Sequence, residues 1–214
     1  TPSNFLKKYL LNNLRIKEAN IKIIKNSAHI NTSFNKQKVK NYFLKKNNLK
    51  IVTLSRLVKW KNIDKIIKAI KNIEDIELHI LGTGPEEIHL RELVLLYKIK
   101  NIKFHGFKDR NFCLSMLKYS DCFIQVSSYE GMSFSILESL YLCKPMILSG
   151  IESNIETAKS AAIYIDQNKV YEIRNAINLL KSKINRNNLI KECIKLNSNF
   201  YQKNNSLESY KKIL

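Results

Sequence analysis

The sequence is poor in the residues that punctuate linkers, with 5 glycines and 3 prolines among 214 residues. There is no Gly/Ser-rich connector, no repeat and no low-complexity segment, so one compact domain is expected from about residue 32 to 200. No apolar run approaches the length of a membrane span. The four cysteines (Cys113, Cys122, Cys143, Cys193) form no C-x-x-C pair. That argues against zinc and a disulfide framework, and for reduced thiols. The four histidines (His29, His79, His89, His105) are scattered, with no H-E-x-x-H or other metal spacing. A P-loop and a serine nucleophile elbow are both absent. The first residue is Thr1, and the opening segment is too polar for a signal peptide. The expectation is a portion of a longer chain.

Acidic residues are also scarce. Asp and Glu total 18 against 37 Lys and Arg, a formal charge of +19. A nucleic-acid binder would concentrate its cations in one patch with interleaved aromatics. Here the lysines are spread along nearly the whole chain beside Asn and Ile, as in residues 178–185. Coding bias explains that distribution without a dedicated partner, so no specific nucleic acid is expected. Attraction to an anionic membrane surface is the intermediate reading.

What is present is alternation. Ser3 is placed to cap a helix carrying Phe5, Leu6, Tyr9, Leu10 and Leu14, and Ile21–Ile24 reads as a short strand. Residues 35–46 are basic and loosely helical. Strands are then expected at 51–54, 78–81, 102–104, 122–126, 146–148 and 162–165. Amphipathic helices separate them, with others at roughly 169–183, 187–202 and 206–213. Short apolar strands alternating with such helices predict βαβ units: an α/β, Rossmann-like parallel sheet of about six strands flanked by helices. Ligands of such sheets bind beyond the carboxyl ends of the strands. Arg56, Gly82, Gly106 and Glu130 each follow such an end, which places the candidates on one rim.

The most informative segment is Ser127 to Leu140, where Glu130 and Glu138 lie eight residues apart across a strand-to-helix turn. Gly131 permits a tight turn, and the amides of Met132, Ser133 and Phe134 would open the next helix, a place that favours an anion. A phosphate beside two carboxylates needs a cation. Arg56 and Lys61, five apart in the loop after the first strand, provide a planar fork and a mobile point charge. Taken alone they would read as two solvated cations. Residues 81–87 (Leu-Gly-Thr-Gly-Pro-Glu-Glu) look like the start of a dinucleotide fingerprint, but the third glycine is missing and Glu86 and Glu87 would repel a pyrophosphate. The ordinary reading, a structural turn with Pro85 opening the helix, is preferred there. His79 and His89 are taken as structural or surface residues, and His105 as a neighbour of the site.

These residues together resemble the C-terminal, donor-binding half of GT-B-fold retaining glycosyltransferases of the family 4 type, over most of the chain. Asn26-Ser27-Ala28-His29 resembles the family's linker segment, and Arg56-Leu57 with Lys61 its R-L-x-x-x-K. Residues 81–85 resemble its G-x-G-P turn, and Phe104-His105-Gly106-Phe107 its F-x-G-x segment. Ser127 through Glu138 resembles its E-x7-E block, and Lys144-Pro145 its K-P. Each piece is weak alone; six in order are strong.

The resemblance implies that Arg56 and Lys61 neutralise a donor diphosphate in place of a metal, so neither metal nor cofactor is expected. It implies that Glu130 holds sugar hydroxyls and Glu138 the ribose. Gly131, Met132, Ser133 and Phe134 would meet sugar and phosphates, and Gly82 and Phe107 would border the donor. Residues 1–31 would be the trailing part of an N-terminal acceptor domain with its linker, 32–200 the donor domain, and 201–214 a helix packing toward the other half. The implied partners are a nucleotide sugar and a glycan or lipid-linked acceptor of cell-surface polysaccharide or lipopolysaccharide synthesis. The implied location is the cytoplasm, with peripheral association at the membrane's inner face. Rival readings are an epimerase or phosphorylase of the same architecture, and a non-catalytic basic binding module. Four positions depart from the family: Ser27, Asn62 and Cys143 stand where Gly is usual, and Val126 where Pro is common.

Overall fold

The computed structural model describes residues 1–203 apart from 15, 29, 31–33, 35 and 44–46, and the side chains of 38 and 198–203 are outside it. His29 and the helix expected at 206–213 therefore lie outside the described residues.

Six strands form a single parallel sheet: β1 (Leu49–Leu54), β2 (Ile76–Leu81), β3 (Ile102–Gly106), β4 (Cys122–Gln125), β5 (Met146–Ser149) and β6 (Ala162–Ile165). Their order is β3-β2-β1-β4-β5-β6, the doubly wound arrangement. The winding of the connections reverses between β1 and β4, which pair in parallel, Ile51 with Cys122 and Val52 with Phe123. All the expected strands from residue 51 onward are present. The one expected at 21–24 is not: these residues carry no ladder, and Ile24 and Lys22 instead bond the backbone of Thr1.

Alternation along each strand builds two cores. Ile51, Ile124 and Ile147 face one side of the sheet, where α3 (Ile63–Ile70), α4 (Glu87–Leu96) and α8 (Val170–Lys181) bury Ile66, Ile67, Leu90, Leu93, Ile173 and Ile177. Val52, Phe123 and Leu148 face the other side. They meet α5 (Arg110–Tyr119), α6 (Phe134–Tyr141) and α9 (Lys183–Lys203), with Val39 from α2 (Lys36–Lys40). Because helices cover both faces, β2 and β4 are buried at every position, the polar Glu77, His79 and Gln125 included.

Two other helices complete the fold. α1 (Asn4–Leu14) is capped as expected, Ser3 Oγ accepting from Leu6 N at 3.1 Å. α7 (Glu152–Ala158) was hidden by its polar sequence. Asn154 Nδ2 donates to Ser149 O and Thr157 Oγ1 to Ser153 O. Glu156 of α7 accepts from the Asn4 and Phe5 amides at the start of α1, where unpaired donors and the helix dipole favour a carboxylate. Pro85 falls two residues before α4 rather than at its first position, and Glu86 is the N-cap residue.

Candidate functional site

The loops after β1, β2 and β3 are joined by backbone bonds. Ser55 N donates to Leu81 O, Leu57 N to Thr83 O, and Gly82 N to Gly106 O. Gly82 has φ +128°, and a Cβ there would lie 1.9 Å from Ser55 O. Gly84 is as confined, its Cβ position 2.2 Å from Leu57 O. The glycines of the residue 81–85 turn are thus required by the close approach of two loops.

Above these loops lies a cleft of about 680 Å³. Its walls include Arg56, Gly82, Phe107, Arg110, Ser135 and Glu138. Arg56 is exposed, and Phe107 is 81% exposed at the lip. Ser55 Oγ is buried on the wall with no hydrogen-bond partner among the described residues. The structure therefore brings together four of the residues singled out in the sequence: Arg56, Gly82, Phe107 and Glu138.

The remaining candidates do not line that cleft; Lys61, Glu130 and Ser133 are linked by hydrogen bonds, and Phe134 is exposed. Lys61 and Glu130 make a part-buried ion pair, Lys61 Nζ donating to Glu130 Oε1. Gln125 at the end of β4 donates through Nε2 to the same oxygen at 2.9 Å, and its Oε1 accepts from Ser133 Oγ at 3.0 Å. Ser133 is the N-cap residue of α6, which begins at Phe134 and carries Ser135 and Glu138 into the cleft. Asn26 Nδ2 reaches Met132 O at 3.4 Å, so the segment resembling the linker touches this turn.

Asn62 holds the loop in place. It adopts a left-handed φ of 51°, which Asn tolerates better than most residues, and thereby replaces the family's usual Gly. Its side chain donates to Val126 O and Ser128 Oγ, both at 2.8 Å, while Ser128 N bonds Trp60 O. Cys143 likewise has φ 51° where the family commonly has Gly.

Electrostatics separate the two acids. Glu130 has Lys61 and Gln125 as partners. Glu138, with a side chain 13% exposed, has Arg110 Nη2 at 3.0 Å. Burial pushes the Glu138 carboxyl above its ordinary value and the Arg110 guanidinium opposes that. Nothing in the sequence spacing singled out Arg110; Asp109, which accepts from Phe112 N, caps α5 and so fixes the Arg110 backbone beside α6.

The histidines stand apart from this chemistry. His79 is buried and His105 half-buried, their Nδ1 and Nε2 atoms 3.0 Å apart, beneath Tyr42 and Phe43. Burial lowers both to about 4. His89 is exposed. Among the described residues no three His, Cys, Asp or Glu side chains are grouped to hold a metal ion.

A parallel sheet wound in this order, with its cleft at the switch point, is a Rossmann-like domain of the GT-B type, and solved structures of that type superpose on it. Anabaena HepE in complex with UDP matches with a TM-score of 0.81, 17% identity, and coverage of 100% of this chain and 61% of its own. The pneumococcal O-GlcNAc transferase GtfA, in complex with UDP and GlcNAc, matches at 0.79 and 18%, covering 100% and 44%. The chain belongs to the family described as Glycosyl transferases group 1, whose pattern matches residues 34–196. An uncharacterized glycosyltransferase of Methanocaldococcus jannaschii is 32% identical over 190 residues, covering 83% of this chain and 47% of the relative. The lipopolysaccharide core biosynthesis glycosyltransferase LpsD of Rhizobium meliloti is 29% identical over 119 residues, covering 54% and 34%. This chain thus spans half or less of the length of the curated relatives it matches.

Proposed function

We propose that this chain is the donor-binding half of a retaining glycosyltransferase of the family 4 type. It would take a nucleotide-diphosphate sugar and pass the sugar to a glycan or lipid-linked acceptor in cell-surface polysaccharide or lipopolysaccharide synthesis. The observation that carries this reading is the cleft over the switch point, where Arg56, Gly82, Phe107 and Glu138 meet beside the Lys61–Glu130 pair. The relatives that contain UDP in their solved structures, and the lipopolysaccharide role of LpsD, support the donor and the pathway.

Each residue then has a chemical task. When the glycosidic C–O bond of the donor breaks, negative charge develops on the departing diphosphate. Exposed Arg56 and the Lys61 ammonium stabilise it, assisted by the unpaired amides that open α6, and no metal is needed. Glu130 accepts hydrogen bonds from sugar hydroxyls, its orientation held by Gln125 and Lys61. Glu138 accepts from the ribose, and the Phe107 ring covers the nucleoside at the lip. Among the described residues no helix is long and apolar enough to cross a membrane. The charge of +19 supports peripheral attraction to an anionic inner-membrane face.

Calorimetric titration with UDP tests the site assignment. Lys61→Ala and Glu138→Ala should each weaken binding by about tenfold or more, as expected for losing a charge-assisted bond. Unchanged affinity in both variants would contradict the assignment.

A further inference from the structure

Arg110 has no place in the motifs described above, yet its guanidinium holds the acid assigned to the ribose. The pairing joins residues 28 apart, one at the start of α5 and one inside α6. It is unsymmetrical: the Arg110 side chain is 59% exposed and that of Glu138 is 13% exposed. A carboxylate so enclosed is costly to keep ionised without a counter-charge. Arg110 gives it one, through a single nitrogen on Oε1. Among the described residues no protein donor reaches Oε2 of Glu138.

The other charged or titratable groups facing this cleft do not substitute for Arg110. Arg56 comes from the β1 loop and Lys108 from the turn before α5, and both line the cleft without bonding Glu138. Cys113 on α5 is a neutral thiol, pushed up to about 11 by burial first, then by Asp109 and Glu138. Burial likewise drives Glu138 toward its protonated form, and Arg110 is the group that opposes it.

We propose that Arg110 is a positioning residue for donor binding: it keeps Glu138 an oriented carboxylate with Oε2 open to a ribose hydroxyl. A protonated acid would offer one fewer accepting site and compete as a donor. Arg110 therefore sets how far into the acidic range the site works. The inference rests on the donor-binding reading given above.

Two measurements on the full chain decide it, and they fail separately. The first is the carboxyl titration of Glu138 followed by carbon NMR, without nucleotide. Arg110→Ala should raise its midpoint by about one unit or more, as expected for losing an adjacent opposite charge, and Arg110→Lys should restore most of the difference. An unchanged midpoint in Arg110→Ala overturns the proposal. The second is calorimetry with UDP-glucose, whose doubly esterified diphosphate does not titrate in this range. As pH falls from 7.5 to 5.5, Arg110→Ala should lose more affinity than wild type, the gap between the two approaching about tenfold per unit of midpoint shift once both are protonated. Glu138→Gln should bind weakly and without pH dependence, whether or not Arg110 is present. If Arg110→Ala shows the wild-type pH profile, a purely structural role is indicated and the proposal fails. If wild type does not bind UDP-glucose, the donor assignment is what suffers, and the carboxyl titration still decides Arg110's effect on Glu138.

Discussion

Replacing Gly82 with Ala tests whether the cleft depends on the contact between two loops. Gly82 and Gly106 both have positive φ, +128° and +66°, and their backbones are hydrogen-bonded to each other. Their surroundings differ. An added Cβ at 82 would sit 1.9 Å from Ser55 O, whereas at 106 nothing lies within 4 Å. To reach ordinary van der Waals contact the Ser55 carbonyl would have to retreat by about 1.5 Å, taking Arg56 with it. Backbone strain of about 1–3 kcal/mol and overpacking of a similar size add, so Gly82→Ala should lose about 2–6 kcal/mol. Gly106→Ala should lose only the cost of the left-handed conformation, about 1–2 kcal/mol. Urea denaturation measures both. Because Arg56 moves with the Ser55 carbonyl, UDP affinity should fall in Gly82→Ala and stay near wild type in Gly106→Ala. Equal stabilities for the two variants, with unchanged UDP affinity, would refute the reasoning.

Other perturbations have distinct signatures. Asn62→Ala removes the bonds to Val126 O and Ser128 Oγ and strains a left-handed residue, so unfolding free energy should drop by about 2–3 kcal/mol in urea melts. Asn62→Gly should be milder, since glycine relieves the strain. Ile66→Ala opens a void in the core between α3 and the sheet, costing about 2–5 kcal/mol by the same assay. For pH, burial lowers His79 from 6.5 to about 4, with Lys103 and Lys50 adding. The unfolded chain takes up this proton first, so stability is fully present above pH 6.5 and is lost as pH falls toward 4. The contribution of His79 is about 3 kcal/mol, and a urea series in His79→Gln should be flatter across that window.

The alternation from residue 49 onward made the sheet readable, because strands covered on both faces are short apolar runs between amphipathic helices. Ile21–Ile24 misled for the same reason: an apolar run lacks meaning as a strand without a neighbour to pair with, and here its partner is the Thr1 backbone. α7 escaped because the positions it buries include the polar Ser153, Asn154 and Thr157, which leaves no apolar stripe to read. At the site, Arg56 and Gly82 were legible as residues following strand ends, Glu138 by its spacing from Glu130 and Phe107 through the family resemblance, and the four do share a cleft. Lys61 and Glu130 were legible as charges, but their pairing through Gln125 and Ser133 depends on a loop path that spacing does not encode. Arg110 was invisible for a related reason. An Arg in a chain with 37 basic residues carries no signal until α5 and α6 are placed side by side.

The most direct test of the account is amide shift mapping on the isotope-labelled chain as UDP is added. Saturable shifts should gather at Ser55, Arg56, Gly82, Phe107, Gly131 to Phe134 and Glu138. A second cleft, of about 480 Å³, lies at the opposite, amino ends of the strands beside Asn72, Lys98 and Asn101. Shifts gathered there, or no saturable shift at the carboxyl rim, would contradict it.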